Sequence, residues 1–293
     1  METDKGKKGK LAALAFMLLL LTTCGTACVH VGTSKAAPQQ TVLDMDAAYP
    51  DSVQYYFAQA QYGIGDAYVK MAHFYLDGTL GKPNLLKVMQ MGFMAEEYKA
   101  IPGMEALFKD VPDSDPTKMA FEAIEMLEHT DDKEVLNAKA RELLDKGNPD
   151  GFLLQAIMQW AEGNRAKAVA FCEKSIEEGS TIADVFKDMI LGGEYNKDYS
   201  PETLLKIADR FPFSYRLLGN YYAHIPNDSA SDIPLARQYY LKACDHACLG
   251  RREASWVLET IYVLGYPPVD SLTEKRLWSL CRNEVNDSVV YLP

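Results

Sequence analysis

The chain is short of positive charge: 30 lysines and arginines stand against 41 aspartates and glutamates, for a formal net charge of −11. Contacts to phosphate need a clustered cationic face, so an acidic balance of this size speaks against nucleic acid as a partner. Strand patterning is missing too. From Asp51 onward almost nothing alternates with period two, and no β-sheet is required. Catalytic signatures are also lacking. There is no His-Glu-x-x-His, no Gly-x-Ser-x-Gly and no phosphate-cradling glycine loop, since Gly63-Ile64-Gly65 has neither a third glycine nor a preceding strand. The histidines, His30, His73, His129, His224 and His246, show no metal spacing. In Cys244-Asp-His246-Ala-Cys248 two thiols at i and i+4, with the imidazole on another face, offer at most two of the four ligands that structural zinc takes. Acidic pairs such as Glu96-Glu97 and Glu177-Glu178 fall at solvent positions rather than in an acid/base dyad. The expectation is therefore no cofactor, no metal, no catalytic residues and a binding role rather than an enzymatic one.

What is present is ordinary globular composition, 48% hydrophobic and 11% aromatic over 293 residues, enough to bury a large core. The N-terminus departs from it. Lys5, Lys7, Lys8 and Lys10 run into the apolar stretch Leu11–Leu21, the charged-then-apolar order of an export signal. Eleven residues at about 1.5 Å each span roughly 17 Å, short of a roughly 30 Å hydrocarbon core. Next comes Leu21-Thr22-Thr23-Cys24, which resembles the bacterial lipobox: Leu three residues before a cysteine, then small residues. The resemblance implies that Cys24 receives a diacylglycerol and becomes the new N-terminus. Thr23 departs from the preferred Gly, Ala or Ser, and a second candidate, Cys28, follows a suitable Ala27 but has no leucine in place. Gly25 after Cys24 supplies no aspartate-type inner-membrane retention signal, so the implied address is the outer membrane, facing the periplasm. The expected organisation is a signal peptide over 1–23, a small, polar, aperiodic tether over 24–49, and a helical domain over 50–293. Coil statistics hold that domain within about 30 Å of the bilayer.

Apolar residues then recur at three and four. Tyr68, Met71, Ala72 and Tyr75 share one face, and Leu86, Met89, Phe93 and Tyr98 another. The same spacing predicts helices over 117–129, 133–146, 150–161, 165–178, 182–192, 201–210, 214–224, 233–247, 251–264 and 271–284. Breakers such as Asp77-Gly78, Gly147-Asn148-Pro149, Glu162-Gly163-Asn164, Gly179-Ser180 and Gly265-Tyr266-Pro267-Pro268 separate them, and Ser200-Pro201 and Ser271 with Glu274 read as helix starts.

Self-similarity runs through these hairpins. Tyr75-Leu-Asp-Gly78, Trp160-Ala-Glu-Gly163 and Tyr262-Val-Leu-Gly265 place an aromatic three before a glycine, and Leu218-Gly219-Asn-Tyr-Tyr222 supplies the aromatic preceded by Leu-Gly. Downstream, Lys167-Ala168, Cys172, Lys174-Ser175 and Gly179 match the offsets of Leu235-Ala236, Tyr240, Lys242-Ala243 and Ala247. The pattern resembles the Sel-like repeat, a relative of the tetratricopeptide repeat. The best copies are 214–248, 151–180 and 65–99, with a degenerate one at 251–285 and weak units at 115–147 and 181–212. Only Leu218-Gly219 keeps the Leu-Gly pair, Ile225 stands where its glycine would fall, and 102–116 fits no unit. The resemblance implies an all-α fold, an α/α superhelical solenoid of about six hairpins whose groove binds a partner. Residues expected to line that groove are Tyr68, Tyr75, Trp160 and Tyr222. Cysteine-rich exported members join helices by disulfides, which implies a Cys248–Cys281 or Cys244–Cys281 bridge, with buried unpaired thiols as the alternative. The short apolar run Val289–Leu292 is expected to pack on the last hairpin as a cap.

The function these features imply is a lipid-anchored envelope scaffold that binds an envelope protein or peptide. Glycan binding on aromatic platforms and an envelope hydrolase with an unrecognised site are the alternatives.

Overall fold

A computed structural model describes residues 51–193, 199–223 and 232–282, with the side chain of residue 128 left aside. The expected signal peptide, tether, Cys24 and Cys28, along with His224, Ile225 and the Val289–Leu292 run, lie outside the described residues. Within them the chain is all-α, thirteen helices and no strand. In order these are α1 Asp51–Gln61, α2 Gly65–Leu76, α3 Leu85–Glu97, α4 Pro116–His129, α5 Lys133–Asp145, α6 Asp150–Ala161, α7 Arg165–Glu177, α8 Ala183–Gly192, α9 Pro201–Ile207, α10 Phe213–Ala223, α11 Ile233–Asp245, α12 Arg251–Tyr262 and α13 Ser271–Arg282. A short 3-10 turn, Met104–Phe108, occupies the stretch that fits no repeat.

The boundaries follow from local chemistry. Carboxylates or a hydroxyl take up orphan N–H groups at the helix starts: Asp115 accepts from Thr117 and Lys118, Asp132 from Glu134 and Val135, Ser200 from Thr203, and Asp232 from Leu235. At α13 the cap is Asp270, one residue before the expected Ser271; its Oδ1 accepts from the Leu272 and Thr273 N–H groups at 3.0 Å each. A carboxylate is the stronger acceptor and complements the helix dipole.

Six helix ends share one geometry, an N–H reaching five residues back. The bonds are Ile64 to Gln59 (3.2 Å), Ala100 to Ala95 (2.8 Å), Asn148 to Leu143 (2.8 Å), Asn164 to Gln159 (2.8 Å), Ser180 to Ser175 (2.9 Å) and Cys248 to Ala243 (2.8 Å). Each needs a left-handed residue just before the donor, and Gly63, Gly147, Gly163 and Gly179 supply four of the six. Lys99 at φ 59° and Ala247 at φ 54° adopt the same conformation against the preference of an L side chain. Ala247 follows α11 at the offset at which Gly179 follows α7 in the aligned stretch of sequence.

The described residues divide into two compact units. The first takes residues 75–89, 105–193 and 199–211. In it α4 packs on α5, α5 on α6, α6 on α7, α7 on α8 and α8 on α9, with α4 and α8 also reaching α6. Small residues set the spacing: a Cβ at Gly151 would fall on the Ala140 carbonyl and Leu144. Between α8 and α9, Asp188 Oδ1 binds Lys206 Nζ at 2.7 Å, Asp188 Oδ2 accepts from Arg210, and Asp184 takes Arg210 Nη1 at 2.7 Å. The second unit takes residues 51–74, 90–104, 212–223 and 232–282. Here α10 packs on α11, α11 on α12, and α13 on both α11 and α12. The Tyr240 ring of α11 lies against Gly219 of α10, where any Cβ would enter the ring; this is what the Leu218-Gly219 pair does. Serial pairing does not anticipate the rest of this unit, because α1 also joins its C-terminal helices. Gln61 Nε2 donates to the Asp245 carbonyl at 2.6 Å, and Ser279 Oγ to the Tyr62 carbonyl at 2.8 Å.

Candidate functional site

Of the four aromatics expected to line a groove, two do not face solvent. Tyr68 is 0% exposed, its ring stacked 5.6 Å from Tyr98 with 5° between the planes, and Trp160 is 4% exposed. Both side chains lie on the inward stripe of their helices, where they fill core volume instead of offering a surface. Tyr75 and Tyr222 are half-buried. The four are divided between the units, Tyr75 and Trp160 in the first, Tyr68 and Tyr222 in the second.

The first unit carries a cleft of about 130 Å³ among three consecutive helices, lined by Lys133 and Asn137 of α5, Gln155, Met158 and Gln159 of α6, Glu162, and Phe171 of α7. One wall is tied down. Lys133 Nζ sits 2.5 Å from Glu162 Oε1, Gln159 Nε2 donates to Glu162 Oε2 at 3.1 Å, and Asn164 Nδ2 donates to Gln159 Oε1 at 3.2 Å. The Lys133 ammonium beside it holds the Glu162 carboxyl below the usual carboxylate range. The other wall is uncommitted: the half-buried carboxamides of Asn137 and Gln155 make no hydrogen bond to another described residue. Each offers a donor and an acceptor, the complement of one peptide unit, above an apolar floor of Met158 and Phe171.

The second unit has a more open cleft of about 380 Å³ between α11, the turn after α12, and α13, lined by Arg237, Leu241, Asp245, Pro268, Val269, Asp270 and Thr273. Most of its polar groups already have work, although the buried Arg237 Nε has no partner among the described residues. Arg237 donates to the Pro267 carbonyl, Asp270 caps α13, and Asp245 pairs with Arg276 at 3.4 Å. Burial raises the Asp245 carboxyl, with Arg276 opposing. Neither cleft is lined by a histidine.

Along α10 and α11 runs a ladder of near-parallel rings. Tyr222 lies 5.7 Å from Tyr239, Tyr239 6.4 Å from Tyr215, and Tyr215 5.6 Å from His246, with the Lys242 ammonium over Tyr215 and Tyr239. Their faces are spent on one another, which leaves little free platform for a sugar ring.

Deeper in the second unit lies an ionic cluster that includes Glu97, a residue expected at a solvent position. Arg216 Nη1 binds Glu97 Oε2 at 2.6 Å and Nη2 reaches Glu253 Oε2 at 3.0 Å, with Arg216 and Glu253 side chains 11% and 7% exposed. The Arg251 N–H donates to Glu97 Oε1 at 3.2 Å. Burial works against the guanidinium charge, and Glu253 and Glu97 outweigh it, so the pKa of Arg216 is raised. Gly250 lets the backbone pass, since a Cβ there would meet Glu97, Arg216 and Glu253 at once. This is a structural clamp joining three distant segments of the second unit.

The thiols are mostly interior. Burial pushes Cys172 and Cys244 up to about 12, which keeps them protonated at neutral pH. Cys248 accepts from Gln90 Nε2 at 2.8 Å and donates to the His246 carbonyl at 3.0 Å, while Cys281 is half-buried near the Arg251 carbonyl. Among the described residues no three His, Cys, Asp or Glu side chains could share a metal ion, and no helix is long and apolar enough to cross a membrane. Against family models, curated proteins and solved structures, the chain finds no match.

Proposed function

We propose that this chain is a lipid-anchored bacterial envelope protein, held at the outer membrane through Cys24, whose helical hairpins, similar to Sel-like repeats, form an interaction scaffold. The observation that carries the reading is the cleft among α5, α6 and α7, where Asn137 and Gln155 hold unspent donors and acceptors over Met158 and Phe171. An extended segment of an envelope protein fits that chemistry: its backbone pairs with the carboxamides and one apolar side chain occupies a space of about 130 Å³. Tyr75, half-buried in the same unit, serves as a further anchor, and the excess of acids steers basic partners on approach. The lipobox-like residues support the address, and the recurring hairpins with left-handed ends support the array.

Two measurements test it. Radiolabelled palmitate is incorporated into the wild-type chain and lost in Cys24→Ala; equal labelling of both removes the address. A photo-crosslinking residue at Lys133, on the cleft rim, captures an identifiable envelope protein, and Asn137→Ala with Gln155→Ala weakens that complex roughly thirtyfold at about 1 kcal/mol per lost pairing. Capture unchanged by the double variant removes the cleft as the site.

A further inference from the structure

The last hairpin ends in an exposed apolar tip. Tyr262, Val263 and Leu264 follow one another at 59%, 71% and 52% exposure, three consecutive large apolar residues left to solvent. The half-buried Trp278 of α13 extends the surface, its ring 5.9 Å from Tyr262, and the Arg282 guanidinium lies 5.6 Å from Trp278. Tyr262 is fixed there by its hydroxyl, which donates to Glu274. Three contiguous exposed side chains of this size form a patch of the kind soluble surfaces cover.

We infer that this tip is the docking site of the chain's own residues Val289–Leu292. The geometry of the connection favours that occupant over any second molecule. Arg282 ends α13. Tyr262 lies beside Trp278 and Glu274, four and eight residues before Arg282, so the tip is about 6–12 Å back along the α13 axis. Residues 283–288 supply six residues of spacer, about 20 Å of reach when extended, so the apolar run arrives over Tyr262–Leu264 by returning alongside α13. The spacer is largely polar and carries Glu284 and Asp287, while α13 presents Lys275 and Arg282 against a single acid, Glu274, which the Tyr262 hydroxyl engages. A short tether of this kind gives an effective concentration near millimolar, which a separate partner must exceed.

A double-mutant cycle on the full chain tests the pairing. Val263→Asp and Val290→Asp each place a charge in the proposed contact, and the first leaves the helical core untouched, because Val263 is 71% exposed. Each alone is expected to lower Tm by about 2–4 °C and to raise backbone exchange over 262–264 severalfold, and the double variant to lower Tm no further than the larger single effect. Additive shifts, or a Val290→Asp chain indistinguishable from wild type, overturn the inference. Two further outcomes also overturn it. A loss of self-association in Val263→Asp alone makes a second copy the occupant. A loss of binding to phosphatidylglycerol vesicles in that variant, with Cys24→Ala as the common background, makes it a lipid surface.

Discussion

At the scale of single residues, two positions separate the two demands that glycine meets, close approach and a left-handed backbone. Gly219 is required for space, because Tyr240 fills the volume its Cβ would take, so Gly219→Ala is expected to destabilise by about 1–3 kcal/mol in denaturant unfolding, with an unchanged m value. Lys99 is the opposite case. It holds φ 59° at an exposed helix end where nothing but conformation is at stake, so Lys99→Gly is expected to stabilise by about 0.5–1 kcal/mol. Both sites sit at helix ends or interfaces, yet only the second is visible as strain. The Leu-Gly motif marked Gly219 in the sequence, whereas Lys99 carries no residue type that announces its backbone.

At the scale of elements, the pairing of α8 with α9 rests on a partly exposed charge cluster. Burial raises the Asp188 carboxyl, and the Lys206 and Arg210 cations outweigh it, leaving the pKa lowered. A carboxylate whose folded pKa lies below the unfolded one stabilises the fold above the unfolded value, about 3.9 for aspartate, and loses that contribution as pH falls through the folded value. Asp188→Asn is therefore expected to cost about 1 kcal/mol at pH 7, the figure reduced because Lys206 and Arg210 are solvent-screened. The gap between variant and wild type closes below about pH 4 in urea titrations. Thiols give a second measure at this scale. With Cys172 and Cys244 raised to about 12 by burial, iodoacetamide at pH 8 is expected to modify half-exposed Cys281 well before either, and all of them only after unfolding.

At the scale of the whole molecule, the second unit is closed by contacts between segments 119 to 217 residues apart, from Glu97–Arg216 to Tyr62–Ser279. Nearest-neighbour repeats alone do not generate such closure. Arg216→Met is expected to cost about 3 kcal/mol, because buried Glu253 and half-buried Glu97 are left without a cation. Adding Glu97→Gln and Glu253→Gln removes the stranded charges and is expected to recover most of that loss in thermal unfolding. A triple variant as unstable as the single one would show that the cluster contributes packing rather than charge balance.

The sequence by itself determined what is local: the helices, most of their starts and stops, and the aromatic–glycine spacing. Those depend on residues within one or two turns, as in the Asp132 and Ser200 caps and the left-handed glycines. Only the tertiary structure decided which inward stripe meets which. Periodicity shows that Tyr68 and Trp160 lie on an apolar face but not that neighbouring helices cover that face completely, and it placed Glu97 in solvent when Arg216, on a helix far along the chain, holds it half-buried. Burial of a side chain is a property of what packs over it, and that partner is set by long-range closure that no window of the sequence contains.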